Sequence, residues 1–115
     1  MRFTGPLTVT KITERLWQVE KTFSYFIGKD EVEFVVVPFG FITDFASVPR
    51  GLWNLFPPDG EYTQSAVLHD YMCVTNTFSQ LKIDRIFYES MGILGVPKWR
   101  RVIMYLAVRI WHGFR

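Results

Sequence analysis

The chain has 115 residues, one domain's length and enough for a single modest core. Hydrophobic residues make up 49% and aromatics 17%, which argues for a packed globule and against disorder. With 13 basic and 11 acidic residues the formal charge is +2, too balanced to argue for nucleic acid as a partner.

Residues 7–43 read as antiparallel β-structure. The runs Leu7–Ile12, Leu16–Glu20, Phe23–Ile27 and Val32–Val37 are short, rich in β-branched and aromatic residues, and partly alternating. Gly28-Lys29-Asp30-Glu31 reads as a turn. Pro38 and Gly40 end the last run, because proline donates no ladder bond and glycine admits unusual dihedrals. A short extra strand is expected at Gly40–Thr43. Residues 44–61 read as a loop, since Pro49, Gly51, Pro57, Pro58 and Gly60 forbid a long helix. Phe45, Leu52, Trp53 and Phe56 make this loop apolar, so it is expected to pack down.

Three helices follow. The first is expected from about Tyr62 to Cys73, with Thr63 as a cap. The second starts at Ser79, a natural N-cap, and runs to about Met91. Ile83, Ile86, Phe87 and Met91 give it one apolar face, with Asp84 on the flank. Pro97 opens the third helix, about Lys98 to Trp111. Trp99, Val102, Ile103, Leu106, Ala107 and Ile110 share one of its faces, and Met104, Tyr105 and Val108 the other. A helix apolar on most of its circumference is either central in the core or at an interface. The fold class expected is α+β in a single domain, residues 1–115: antiparallel strands over about 7–43, a packed loop, then three C-terminal helices.

Cys73 is the single cysteine, so the fold stands without an intramolecular disulfide. No apolar run approaches the ~18–20 residues of a bilayer span, and the N-terminus lacks the apolar region of a signal peptide. The expectation is a chain without a transmembrane segment, made and folded in a cytoplasm. Lys98, Arg100, Arg101, Arg109 and Arg115 gather at one end, where a basic surface suits phosphates, acidic lipid or a partner protein.

The chemistry-bearing residues converge on Ala66-Val67-Leu68-His69-Asp70-Tyr71. A histidine with a carboxylate partner is the commonest general base. Adjacent residues of a helix point about 100° apart, so Asp70 is not placed to orient His69. Asp84, on the next antiparallel helix, is the candidate partner. Asp70 then faces another group, a metal or an arginine. Asp44 and Asp70 are candidate ligands for calcium, which takes 6–8 oxygens in irregular geometry and would polarise an ester carbonyl. Zinc is disfavoured, because two histidines and one cysteine do not readily supply three suitable ligands. Other arrangements fit the same residues. His69 and Asp70 can serve a purely structural network, Asp44 can anchor a turn, and Arg50 can pair with Asp44 or Asp70. A Ser47–His69–Asp triad is a further arrangement, although Ser47 lacks the G-x-S-x-G elbow.

Two family resemblances attach to these motifs. Gly40-Phe41-Ile42-Thr43-Asp44-Phe45-Ala46-Ser47-Val48-Pro49-Arg50, then the His69-Asp70-Tyr71 segment, Asp84 and Tyr105-Leu106-Ala107-Val108-Arg109, resemble a group of small uncharacterised phage and prophage proteins. That resemblance covers nearly the whole chain and implies a viral origin. Residues 62–113 are similar to secreted calcium-dependent phospholipases of bacteria and fungi that cleave the sn-2 ester. The resemblance implies His69 as base, Asp84 as its orienting partner, and Asp70 and Asp44 as calcium ligands. The chain departs from those enzymes in lacking disulfides, their glycine-rich calcium loop and any counterpart to its β-rich front half.

Whether the chain is an enzyme stays open at this point. One expectation is a phage-encoded hydrolase acting on lipid esters, or less directly on cell-envelope material, during infection or lysis. The other is a non-enzymatic virion, tail or assembly component that meets other phage structural proteins through Trp53, Phe56 and the third helix. Either is expected to be made in the host cytoplasm, and the second to be carried on the virion.

Overall fold

The β-branched and aromatic runs fold as antiparallel strands, each shorter than its sequence pattern. The computed structural model describes residues 1–14, 16–43 and 62–113, with side chains as far as residue 110. The strands are β1 (Arg2–Phe3), β2 (Val9–Lys11), β3 (Trp17–Val19), β4 (Phe23–Phe26), β5 (Phe34–Val37) and β6 (Ile42–Thr43). They form two small sheets, in the orders β1-β4-β5 and β2-β3-β6, with every pairing antiparallel. In the first sheet Phe23 and Tyr25 stand opposite Val37 and Val35, and all four side chains are buried. Their neighbours Phe34 and Val36 are exposed, as the twofold alternation of a half-buried strand requires.

β1 is not anticipated from the sequence. Two residues before Gly5-Pro6 are too short to show alternation. They are held at the edge of β4 by pairing and by the N-terminal ammonium, which donates to the Gly28 carbonyl at 2.6 Å and to Glu31 at 2.9 Å. That ammonium, with Arg2 beyond it, holds the Glu31 carboxyl below the usual glutamate range.

The expected helices form α1 (Thr63–Thr75), α2 (Gln80–Ile93) and α3 (Lys98–Gly113). Thr63 does not cap α1. Tyr62 holds the N-cap position and its side chain makes no capping hydrogen bond, and the helix closes on Asn76 in a left-handed conformation. Ser79 caps α2 as expected, accepting from the Lys82 amide at 3.3 Å. The tight Asn76–Ser79 link leaves α1 and α2 side by side.

α1 is the central helix. Every residue from Gln64 through Asp70 is buried, so its polar side chains lie inside the core and must be paired there. It packs against β5, β6 and α2. Ile83, Ile86, Phe87 and Met91 of α2 are buried as their spacing predicts. The two faces of α3 divide differently from their apolar content. The smaller face, Met104 and Val108, is buried, while Trp99, Val102, Ile103, Leu106 and Ile110 are exposed. Of the two places open to such a helix, α3 takes the outer one.

Glu89 fastens α2 to the first sheet. It accepts from the Tyr25 hydroxyl at 2.6 Å and from the Gly28 amide at 3.2 Å. Gly28 has φ +72°, a conformation that side chains resist, and this turns its amide toward the carboxylate. Burial first, then the bond to Glu89, push the Tyr25 phenol well above its ordinary 10.0. The unfolded chain releases this proton near 10.0 while the folded chain keeps it. The stabilisation is therefore complete below that pH and lost as pH rises past it. Urea midpoints of the wild type are expected to fall between about pH 8 and about pH 11, and to fall less in Tyr25→Phe. Equal falls in both would remove Tyr25 as the cause.

Candidate functional site

The site is built from three helices whose polar side chains meet at a shared point. His69 sits mid-α1 on the side facing α2. Asp84 sits one turn into α2, beside Ile83 and ahead of Phe87, so the stripe that buries those residues carries the carboxylate in with it. Nε2 of His69 lies 2.7 Å from Oδ1 of Asp84, and both side chains are fully buried. Phe87 stacks near the imidazole, with ring centroids 4.7 Å apart.

Asp84 is held by more than the histidine. Gln80, one turn earlier on α2, donates to Oδ1 at 3.1 Å. Arg109 of α3 donates to Oδ2 at 2.9 Å. The arginine makes the ionised carboxylate the stable form here, since a buried charge persists only where it is paired and hydrogen-bonded. An ionised carboxylate only accepts hydrogen bonds. Nε2 therefore carries the proton it shares with Asp84, and the neutral ring keeps its basic lone pair on Nδ1.

Cys73 lies one turn after His69. Its Sγ is 3.9 Å from Nδ1 and 4.0 Å from Nε2, and Gln80 Nε2 donates to it at 3.6 Å. A thiol aligned on the Nδ1 lone pair would be much farther from Nε2 than from Nδ1. The near-equal distances instead put the sulfur beside the ring as a whole, so this arrangement is not that of a cysteine nucleophile with its base.

Asp70 points away from His69, as helical geometry demands. Its Oδ2 accepts from the Thr43 hydroxyl of β6 at 2.6 Å, which ties α1 to the second sheet. Asp44, Ser47 and Arg50 lie outside the described residues, and so do Trp53 and Phe56. Among the described residues no group of three or more His, Cys, Asp or Glu side chains could hold a metal ion.

The structure thus brings His69 and Asp84 together and sets Asp70 in a separate contact. Three participants escape the sequence reading. Gln80 had a signal, since residues four apart on a helix are neighbours and Gln80 precedes Asp84 by four. Cys73 stands in the same relation to His69. Arg109 stood at the end of the Tyr105–Arg109 motif, but nothing local linked it to a carboxylate 25 residues earlier.

Among known families, residues 17–108 match the model described as "Protein of unknown function (DUF1353)". A curated relative, "Uncharacterized protein y4jT" of Sinorhizobium fredii (strain NBRC 101917 / NGR234), is 39% identical over 74 residues. The match covers 63% of this chain and 22% of that protein, so the chain spans about a fifth of the relative's length. No solved structure matches the chain.

Proposed function

The chain belongs to the DUF1353 family, and from the buried imidazole–carboxylate pair we propose that it is an ester hydrolase with lipid as its substrate class. His69 is the general base, Asp84 its positioning partner, and water the nucleophile. Nδ1 takes a proton from water as the oxygen attacks the ester carbonyl. The resulting imidazolium is stabilised by Asp84, whose charge Gln80 and Arg109 hold in place. Nδ1 then returns the proton to the departing alkoxide, giving a carboxylic acid and an alcohol. No step here is routed through a metal.

The observation that carries this reading is the 2.7 Å contact between two fully buried side chains on separate helices. Lipid as the substrate class draws on the phospholipase-like order of residues 62–113. A phage setting, with action during infection or lysis, is part of the same proposal. The reading carries a requirement: His69 is fully buried, so substrate reaches it only when its covering opens.

Purified full-length protein is expected to release fatty acid from phospholipid vesicles. His69→Ala is expected to lower that rate by about 10²–10⁴-fold. A variant with an unchanged melting curve and unchanged hydrolysis would overturn the proposal. The complete burial of His69 favours a second reading, a non-enzymatic virion or assembly component in which His69 and Asp84 are a structural network. Fixed stoichiometry in purified particles, with no hydrolysis by the wild type, would select it.

A further inference from the structure

The outward face of α3 is unusual for a helix on a protein exterior. Trp99, Leu106 and Ile110 are 61%, 51% and 60% exposed, with Val102 and Ile103 exposed between them. Their spacing of three, four, seven and eleven residues from Trp99 places all five on one stripe, opposite the buried Met104 and Val108. The 16 residues of α3 include Lys98, Arg100, Arg101 and Arg109 and no aspartate or glutamate. At 100° per residue, Lys98 and Arg109 lie along one edge of the stripe and Arg100 along the other; Arg109 is committed to Asp84, which leaves Lys98 and Arg100 as the cations that flank the stripe. The Arg100 guanidinium lies over the Trp99 ring, 5.4 Å from its centroid.

A groove of about 360 Å³ opens beside that stripe, lined by Arg85, Tyr88, Val102 and Tyr105. Val102 belongs to both. Arg85 makes no ion pair among the described residues, and Tyr88 and Tyr105 meet edge to face with centroids 5.8 Å apart.

We propose that α3 docks on the surface of an anionic phospholipid bilayer. Its apolar stripe enters the boundary between headgroups and acyl chains, its edge cations meet lipid phosphates, and the Arg85 groove receives one headgroup phosphate. An apolar face with basic edges is the form of a helix that lies in a membrane interface. Charge separates this occupant from a second copy of the chain. Two copies of α3 face to face would set only cations against cations, whereas an anionic bilayer complements them. α3 is too polar on its other faces to be a span, and among the described residues no helix is long and apolar enough to cross a membrane. The inference does not need His69 to be catalytic, because binding and hydrolysis are read separately.

The test is flotation of the full-length protein with phosphatidylcholine vesicles, with and without phosphatidylglycerol. Binding is expected to the anionic vesicles and to fall as salt rises. Leu106→Gln with Ile110→Gln is expected to weaken it by more than about tenfold, and Arg85→Gln by about fivefold. These side chains are exposed, and matching melting curves check that the variants fold. Absence of binding to anionic vesicles would overturn the proposal and turn the stripe toward a protein partner. A lipid-free dimer that the Leu106→Gln and Ile110→Gln changes dissolve would overturn it in favour of a second copy. Protection of the groove by inorganic phosphate, with no vesicle binding, would reassign it to free phosphate.

Discussion

Asp84→Ala is expected to cost about 3–5 kcal/mol of stability, the range for removing one partner of a buried ion pair. Three donors converge on this carboxylate from three places: His69 on α1, Gln80 on α2 and Arg109 on α3. They do not lose equally. The Arg109 side chain is 36% exposed and can turn to water, so its share is discounted for screening. His69 is fully buried and loses the carboxylate that accepts its N–H, a penalty of about 1–3 kcal/mol by itself. The total therefore falls toward the lower end of the range. Against a native stability of roughly 5–15 kcal/mol, this is a large fraction. Urea unfolding should show a lower midpoint at unchanged slope. A loss under about 1 kcal/mol would mean that the three helices are not pinned through Asp84.

The dependence on Asp84 shows what could be read in advance and what could not. Helix positions, the Ser79 cap and the buried stripe Ile83-Ile86-Phe87-Met91 follow from local periodicity, which needs no knowledge of the fold. The His69–Asp84 contact follows one step later, from two helices joined by a tight link. Arg109 is out of reach of that logic because it depends on how α3 crosses α2. The choice of buried face on α3 is out of reach for the same reason. Hydropathy favours the five-residue stripe led by Trp99, yet Met104 and Val108 are the residues that meet the core. Packing by Met104 and Val108 fixes the rotation of α3, and that rotation both delivers Arg109 to Asp84 and turns the stripe outward. The buried site and the exposed stripe are two results of one helix orientation.

The coupling suggests why the centre of the molecule tolerates so much polarity. α1 buries Ser65, His69 and Asp70 in one continuous stretch, and each meets a polar group from another element. Ser65 pairs with Ser90 of α2 at 2.8 Å, Asp70 with Thr43 of β6, and His69 with Asp84. Satisfied in this way, the polar groups set the register of α1 against its neighbours, since a rotation would leave several of them unpaired. The Thr43–Asp70 bond locks α1 to the second sheet.

Asp84→Asn separates positioning from packing more sharply than any truncation. The amide has the carboxylate's shape, so the fold is expected to persist with a smaller loss than in Asp84→Ala. The amide must choose which atom faces which neighbour. Arg109 is a charged donor, and charge-assisted bonds are about twice as strong as neutral ones, so the amide oxygen turns to Arg109. Its NH2 then faces His69 Nε2, where a second donor is not tolerated, and the imidazole moves its proton to Nδ1. The nitrogen that serves as base in the proposed hydrolysis is thereby occupied. Long-range proton–nitrogen NMR on the imidazole reads the tautomer directly, and is expected to report Nε2–H in the wild type and Nδ1–H in the variant. In an ester hydrolase the same change should lower kcat by on the order of 10⁴, as a wrong tautomer does in the serine-protease triad. A variant that keeps the Nε2–H tautomer would show that Gln80, which donates to the same oxygen, outweighs Arg109 in orienting residue 84. A switched tautomer with undiminished ester hydrolysis would exclude Nδ1 as the base.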